Sequence, residues 1–470
     1  MNSSNLGLDF RIARRILSVS IPLMGSMVGN LIMMLVDRIC VARYSSDALA
    51  ASGPAIFTSM AIIGVFTSIV GFSRSFVAQA FGRSGHGEAA YQAAIGILIG
   101  VLFSVLLALL APLVAMIPFL SSRPPAVTHL ESQFMYWAAL FGAVMTLNIS
   151  LTSYFNGIGK TRITMVVGLI GQAVDVFMNI GLVFGKFGLP ELGMRGSAIG
   201  TLIGTLTMLV CYVCYVPGEV WFHARSLIRG RGRITVADML PRMKKSFALG
   251  AATGIDNFGN VAFIWIVAGL GAISLAANSV NLTVNNLGII PLIGLSIGCS
   301  VLCGNALGED DYPQISRILF VTLAIELIYV VVISFFQIAT PRLLIGPFGV
   351  ADKPEIQAVS IATSRVLWVY SVAFALAMTG ASVLESFGLT RFLFMTRLIL
   401  MWSISVPTIY AMVASHAGEA SYLPVCWVVG SAFEALIGAL YFWRIWLAVR
   451  HRQNSILLVR AAELSESRRT

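Results

Sequence analysis

Charge is what this chain has least of. Asp, Glu, Lys and Arg make up 11% of its 470 residues, against roughly 25% in a soluble domain. Hydrophobic residues make up 57%, and the mean hydropathy is +0.87. A soluble fold has too little interior for that much apolar surface, so most of it must face lipid. Other absences narrow the reading. The apolar runs are continuous rather than alternating, which excludes a transmembrane barrel. No GxxxxGK[ST] sequence occurs, which argues against ATP drive within the chain. The one CxxC pair, Cys211 and Cys214, lies inside the run TLIGTLTMLVCYVCYV with no second ligand pair nearby. It reads as small residues of a membrane helix rather than as a zinc or redox site. No small-x-small cleavage site follows Arg11, Arg14 and Arg15, so the first apolar run is expected to stay as a membrane helix. No enzyme activity, cofactor, resident metal or nucleic-acid partner is expected.

Twelve runs are long enough to cross a bilayer, which takes about 20 mostly apolar residues. They cover 15–38, 47–72, 89–117, 128–155, 162–185, 195–217, 246–269, 273–303, 314–338, 356–385, 392–413 and 421–447. The net charge of +10 is spread over the short segments between them, where cytoplasmic loops face anionic lipid. With a cytoplasmic N-terminus, 23 Lys and Arg fall in inner segments and 7 in outer ones. Both termini are therefore expected in the cytoplasm. Arg365 is left inside the tenth run.

The chain repeats itself. ALAA at 48–51 matches SLAA at 274–277, and AFG at 80–82 matches ALG at 306–308, both at an offset of 226. NGIGKTR at 156–162 matches ESFGLTR at 385–391 at 229, and GSAIG from Gly196 matches GSAFE from Gly430 at 234. An even number of helices per repeat keeps matched positions on the same side. Two six-helix halves related by an axis along the membrane normal are expected, with a cavity between them. The division is a first lobe over 1–218, a basic cytoplasmic linker over 219–245, a second lobe over 246–450 and a cytoplasmic tail over 451–470. Part of the linker suits an amphipathic helix on the membrane surface.

Ionisable groups inside membrane runs are costly and usually functional. Asp37 ends the first run, with Asn30 and Met33 seven and four residues earlier on its helix face. An interfacial ion pair with Arg38 is the alternative for it. Asp175 lies deep in ITMVVGLIGQAVDVFMNIGLVFG, with Asn179 one turn later. A lone acid at that depth needs a proton, a cation or a hydrogen-bonding partner. Two such acids near one cavity can couple its access to proton or sodium occupancy. Asp256 stands in the first turns of the seventh run and either lines the cavity or meets headgroups. Glu385 and Arg391 read as residues of a cytoplasmic turn, and Glu326, Glu434 and Arg365 as a set that could pair within the second half. Pro22, Pro291 and Pro407 are expected to bend their helices.

These motifs together resemble the multidrug and toxic compound extrusion (MATE) transporters, from roughly Ile21 to Trp443. They are Pro22, Asp37, DALAASGPA, VAQAFGRSGHGEA, YFNGIGKTRITM, GLPELGMRGSAIGT, LGAISLAANSV and PLIGLSIGCSVLCGNALGED, in that order. The resemblance implies two six-helix lobes and export of organic, often cationic, compounds driven by protons or sodium. One branch joins an acid at the end of the first helix to an Asn and an Asp one turn apart in the fifth and a Thr in the sixth. Asp37 matches the first position and Thr201 the last, while Asp175 and Asn179 stand in reversed order. Another branch uses acids in the second lobe. Asp256 matches its seventh-helix acid, whereas the tenth-helix position holds Phe374, with Tyr370 one turn before. The ion-coupling set is thus Asp37, Asp175, Asn179 and Thr201, and the substrate pathway takes in Asn30, Met33, Asp256 and Tyr370. Protons are favoured over sodium. The expected protein is a monomer in the cell (plasma or inner) membrane, with a small organic substrate and the lipid bilayer as its partners. A lipid-linked oligosaccharide flippase of the same superfamily is the alternative. A major facilitator is disfavoured because the loop AFGRSGHGEA lacks an Asp-Arg pair.

Overall fold

The computed structural model describes residues 3–120, 125–229, 236–346 and 353–467. Every regular element among them is helical. In lipid this follows from the backbone: each peptide N–H and C=O needs a partner, and a helix supplies one within its own segment. Twelve helical stretches are long and apolar enough to span a membrane, and they fall on the twelve runs of the sequence.

Contacts divide the chain into two compact units, Leu17–Phe258 and Met1–Ile16 with Gly259–Thr470. The first holds most of α1 (Ser3–Tyr44), then α2 (Ser46–Gly71), α3 (Ser73–Ser84), α4 (His86–Met116) and α5 (Pro125–Gly157). It continues through α6 (Thr161–Phe184), α7 (Met194–Tyr215), α8 (Gly218–Ile228) and most of α9 (Val236–Val267). The second unit holds α10 (Ala272–Gly308), α11 (Tyr312–Ala339), α12 (Pro341–Ile345), α13 (Pro354–Ser364) and α14 (Leu367–Ser386). After these come α15 (Thr390–Arg397), α16 (Val406–Ser415) and α17 (Leu423–Ser467). Of the segment read as a linker, 219–228 lies in α8, which packs on α4, and 230–235 lies outside the described residues. Of the tail, 468–470 lie outside them too.

Each unit is apolar outside as well as inside. On α11, Ile328, Val331 and Phe335 are more than 60% exposed, while Glu326 and Gln337 are fully buried. That inversion is what lipid as solvent demands, because polar groups find their partners only between helices. In the first unit Ile63, Leu107, Phe134, Met135 and Phe141 form one core, and Val77, Leu151, Tyr154 and Tyr212 belong to another.

The repeat is visible in the backbone. After α5, Gly159 takes φ +76°, its N–H bonds to Asn156 O, and Lys160 N–H bonds to Phe155 O at 2.8 Å. After α14, Gly388 takes φ +70°, its N–H bonds to Glu385 O, and Leu389 N–H bonds to Leu384 O at 3.0 Å. Every atom pair of the second turn lies 229 positions after its match in the first. Only a residue without Cβ adopts that left-handed backbone at no steric cost.

Two sequence expectations need correction. The tenth run is not one helix: α13 ends at Ser364, and α14 begins at Leu367. Arg365 stands at this break with its side chain exposed, so the interruption spares the membrane a buried guanidinium. Glu385 is not a loop residue. It lies in the last turn of α14 and is 8% exposed. The eleventh run carries a π-helical segment, Leu398–Ser405, just before Pro407. Proline has no N–H and its ring crowds the carbonyl four residues back, so the helix widens there.

Candidate functional site

The site in the first unit starts from how closely α6 and α7 approach. Gly196, Gly200 and Gly204 recur every four residues on α7 and form one stripe. A Cβ on Gly204 would lie 2.7 Å from Asp175 Cβ and 2.7 Å from Gly171 O. One on Gly200 would lie 3.0 Å from Asn179 N, and one on Gly196 would lie 2.6 Å from the Leu182 carbonyl. Small residues at this spacing let two membrane helices touch backbone to backbone. The contact presses Asp175 and Asn179 of α6 against Ser197 and Thr201 of α7. The stripe could have been read from GSAIGTLIGT, whose glycines stand at i, i+4 and i+8.

Helix α1 is held to α6 by polar side chains reaching its backbone. Thr161 Oγ1 donates to Val19 O at 2.8 Å, and Gln172 Nε2 donates to Ser26 O at 3.0 Å. These two bonds flank Pro22, where α1 is one N–H short. They fix the rotation of α1 so that Asp37, about four turns beyond Pro22, meets α6.

The result bonds Asp37 to Asn179 and brings Asp175 and Thr201, the other two residues expected to couple ions, beside them. Asn179 Nδ2 donates to Asp37 Oδ1 and also to Ser197 Oγ, the latter at 3.0 Å. Asp175 and Asn179 are buried, and Asp37 is half-buried. The Asp37 and Asp175 carboxyls are near enough for their charges to repel. Both Asp175 oxygens and Asn179 Oδ1 are buried and without a hydrogen-bond partner. Thr201 faces Asp175, but its hydroxyl donates to Ser197 O at 3.2 Å. The arrangement is therefore rich in acceptor oxygens and short of donors, which is the chemistry of a site for a cation or a proton. Ser197 was absent from the sequence-based set. Nothing in its immediate sequence sets it apart from other membrane serines.

The remaining sequence candidates are dispersed. Asn30 is exposed on α1 and Met33 half-buried one turn before Asp37. Asp256 stands on the part of α9 whose Gly250 and Gly254 pack on Ile69 and Val65 of α2, so it groups with the first unit. Tyr370 belongs to the second unit. It is stacked on Phe374 with centroids 5.7 Å apart and meets Trp427 edge-on at 5.4 Å. Trp427 in turn donates Nε1–H to Asn278 Oδ1 at 3.0 Å. Arg397 ends α15 inside the eleventh span and pairs with Glu434 at 2.7 Å. Cys211 and Cys214 are free thiols on α7.

Known proteins share this architecture. The MatE family profile matches the chain twice, over residues 22–180 and 252–411, once in each half. A probable multidrug resistance protein NorM of Burkholderia pseudomallei is 24% identical over 450 residues, covering 94% of this chain and 92% of that protein. Among solved structures, an Asp-to-Asn variant of the Vibrio cholerae MATE transporter VcmN superposes with a TM-score of 0.81 at 15% identity, over 95% of this chain and 98% of that one. A Pyrococcus furiosus transporter of the MOP superfamily superposes with a TM-score of 0.78 at 18% identity, over 94% and 97%. With the family profile matched in both halves on a twelve-span helical fold, the chain belongs to the MatE family of multi-pass membrane transporters.

Proposed function

We propose that this protein is an antiporter that exports organic, often cationic, compounds by alternating access, driven by ions flowing the other way. The observation that carries the reading is the Asp37–Asn179–Ser197–Asp175 constellation. Two carboxyls that repel one another in a half-dry site are relieved by one proton or one bound cation. Opening the site to water relieves them as well. Ion occupancy and access are then linked, and a ligand can shift a two-state structure only through such differential stabilisation. The NorM relative, a probable multidrug resistance protein, supports a drug-like substrate class.

Protons are favoured over sodium. Asp37 and Asn179 are already in hydrogen-bond contact, so a proton needs less rearrangement than an ion that requires its own oxygen shell. The protein acts as a monomer in the cell membrane, with both termini in the cytoplasm, as the Lys and Arg distribution argues.

The test is dye export in proteoliposomes with proton and sodium gradients imposed separately. The wild type should respond to the proton gradient alone. Asp37→Asn and Asp175→Asn should each lower that response by about tenfold or more, as expected for a functional intramembrane acid. If both variants export as fast as wild type, the coupling assignment is wrong.

A further inference from the structure

The second unit buries a carboxyl that the site above does not use. Glu326 of α11 is fully buried near the middle of its span. Thr379 of α14 places Oγ1 2.7 Å from both Glu326 oxygens, and Ser296 of α10 lies 3.3 Å from one of them. The Ser296 and Thr379 hydroxyls are 3.2 Å apart. Ser296 also reaches its own helix carbonyl, Leu292 O, at 2.8 Å.

Counting protons decides what this cluster holds. Thr379 has one hydroxyl hydrogen and so donates to one Glu326 oxygen only, although it sits equally close to both. Ser296 has a better acceptor in Leu292 O. The titratable groups on the packed elements are few: Cys299 on α10 acts on Glu326, Cys303 lies one turn further along α10, and α14 carries Tyr370 near its start and Glu385 in its last turn, with hydroxyls between them. A bare carboxylate with one neutral donor is a costly thing to bury, and a carboxylic acid is far less so.

The surroundings are layered in register. One helical turn to one side lie Leu292, Val330 and Ala375, four residues from Ser296, Glu326 and Thr379 respectively, and they form a buried apolar layer. To the other side the polar groups continue. Cys299 contacts Thr322 and Ser382, and beyond it Ser386 Oγ donates to Ser300 O at 2.8 Å. On the orientation that the Lys and Arg count supports, the apolar layer is outer and the hydroxyl and thiol ladder is inner.

We propose that Glu326, held by Thr379 and Ser296, is a second proton-carrying site, shut from outside by the Leu292–Val330–Ala375 layer and connected inward along the Ser and Cys ladder. The proposal rests on the proton-coupled reading and assigns it a carrier in the other unit. Glu326 carries one proton as a carboxylic acid and loses it to water as H+, leaving the carboxylate. No other bond changes.

The test is infrared difference spectroscopy of the full-length protein in lipid, moved between H2O and D2O while a proton gradient drives transport. A carboxylic-acid carbonyl band that shifts in D2O is expected. It should vanish in Glu326→Gln and survive in the Asp37→Asn/Asp175→Asn double variant. Thr379→Val should move the band and Thr379→Ser restore it, a pattern that holds even where Glu326→Gln folds poorly. Proton-driven export should fall about tenfold in Glu326→Gln with substrate affinity changed less than about twofold, the mark of a lost coupling step rather than lost binding. A band unchanged in Glu326→Gln, or one that never exchanges during transport, overturns the proposal. A wild type that ignores an imposed proton gradient overturns the antiport reading, while the exchangeable band still decides whether Glu326 takes up and releases a proton.

Discussion

At the scale of single residues, partners separate functional charge from structural charge. Asp175 is buried with both oxygens unpaired. Glu434, by contrast, has Arg397 at 2.7 Å. On the proposed reading the first arrangement takes up a cation or proton, whereas the second already holds its counter-charge. Removing one partner of a largely buried pair leaves an uncompensated charge and typically costs about 3 kcal/mol, less where the pair is partly solvated. Arg397→Met should therefore lower the thermal midpoint in detergent clearly. The double variant Arg397→Met/Glu434→Leu should recover most of the loss while dye export stays near wild type. A single variant as stable as wild type would show that the pair is not structural. The sequence marked Asp37, Asp175 and Glu434 because an acid in an apolar run is conspicuous. It did not distinguish their roles, because a partner on another helix leaves no trace in the local pattern.

At the scale of elements, the site is a consequence of helix contact. Without the α7 glycine stripe, Asp175 and Asn179 would stand off from Ser197 and Thr201. A methyl group at Gly204 would meet Asp175 Cβ and Gly171 O at 2.7 Å, both parts of the backbone or fixed to it. Gly204→Ala should force α6 and α7 apart, at a cost of about 1–3 kcal/mol as for other overpacked cores, and weaken ion coupling together with stability. Gly218→Ala is the control, since nothing stands within 4 Å of its added Cβ. Measuring melting and proton-driven export of both variants checks this. Equal behaviour of the two would show that the close approach does not shape the site. The breaks in the helices follow the same logic. Pro407 is plain in the sequence, but the π segment it follows is not, since a widened turn depends on what surrounds it. The gap at Arg365 needed the structure because the run 356–385 is apolar enough to read as one helix.

At the scale of the whole molecule, orientation is the consequence with the clearest test. Lys160 and Lys353 are both exposed, and the positive-inside count puts them on opposite faces. With the six native cysteines replaced by alanine, Lys353→Cys should react with an impermeant thiol reagent in intact cells. Lys160→Cys should react only after permeabilisation. The reverse pattern would invert the membrane orientation and with it the direction assigned to the Glu326 layers.

The number of spans, their approximate places apart from the break in the tenth, the repeat and the presence of acids within the spans were settled by the sequence alone. Each depends on a sum or a spacing along the chain: transfer of about 20 residues into lipid, or a turn that recurs after 229 positions. Which oxygens face which, by contrast, was decided by tertiary structure. Ser197 against Asn179, Thr379 against Glu326 and Arg397 against Glu434 depend on how far each helix is rotated about its axis. That rotation is set by interlocking glycines, by side chains that cap a neighbour's carbonyls and by helix breaks. None of these acts through sequence neighbours. The acids could therefore be found by reading, but their partners only by packing.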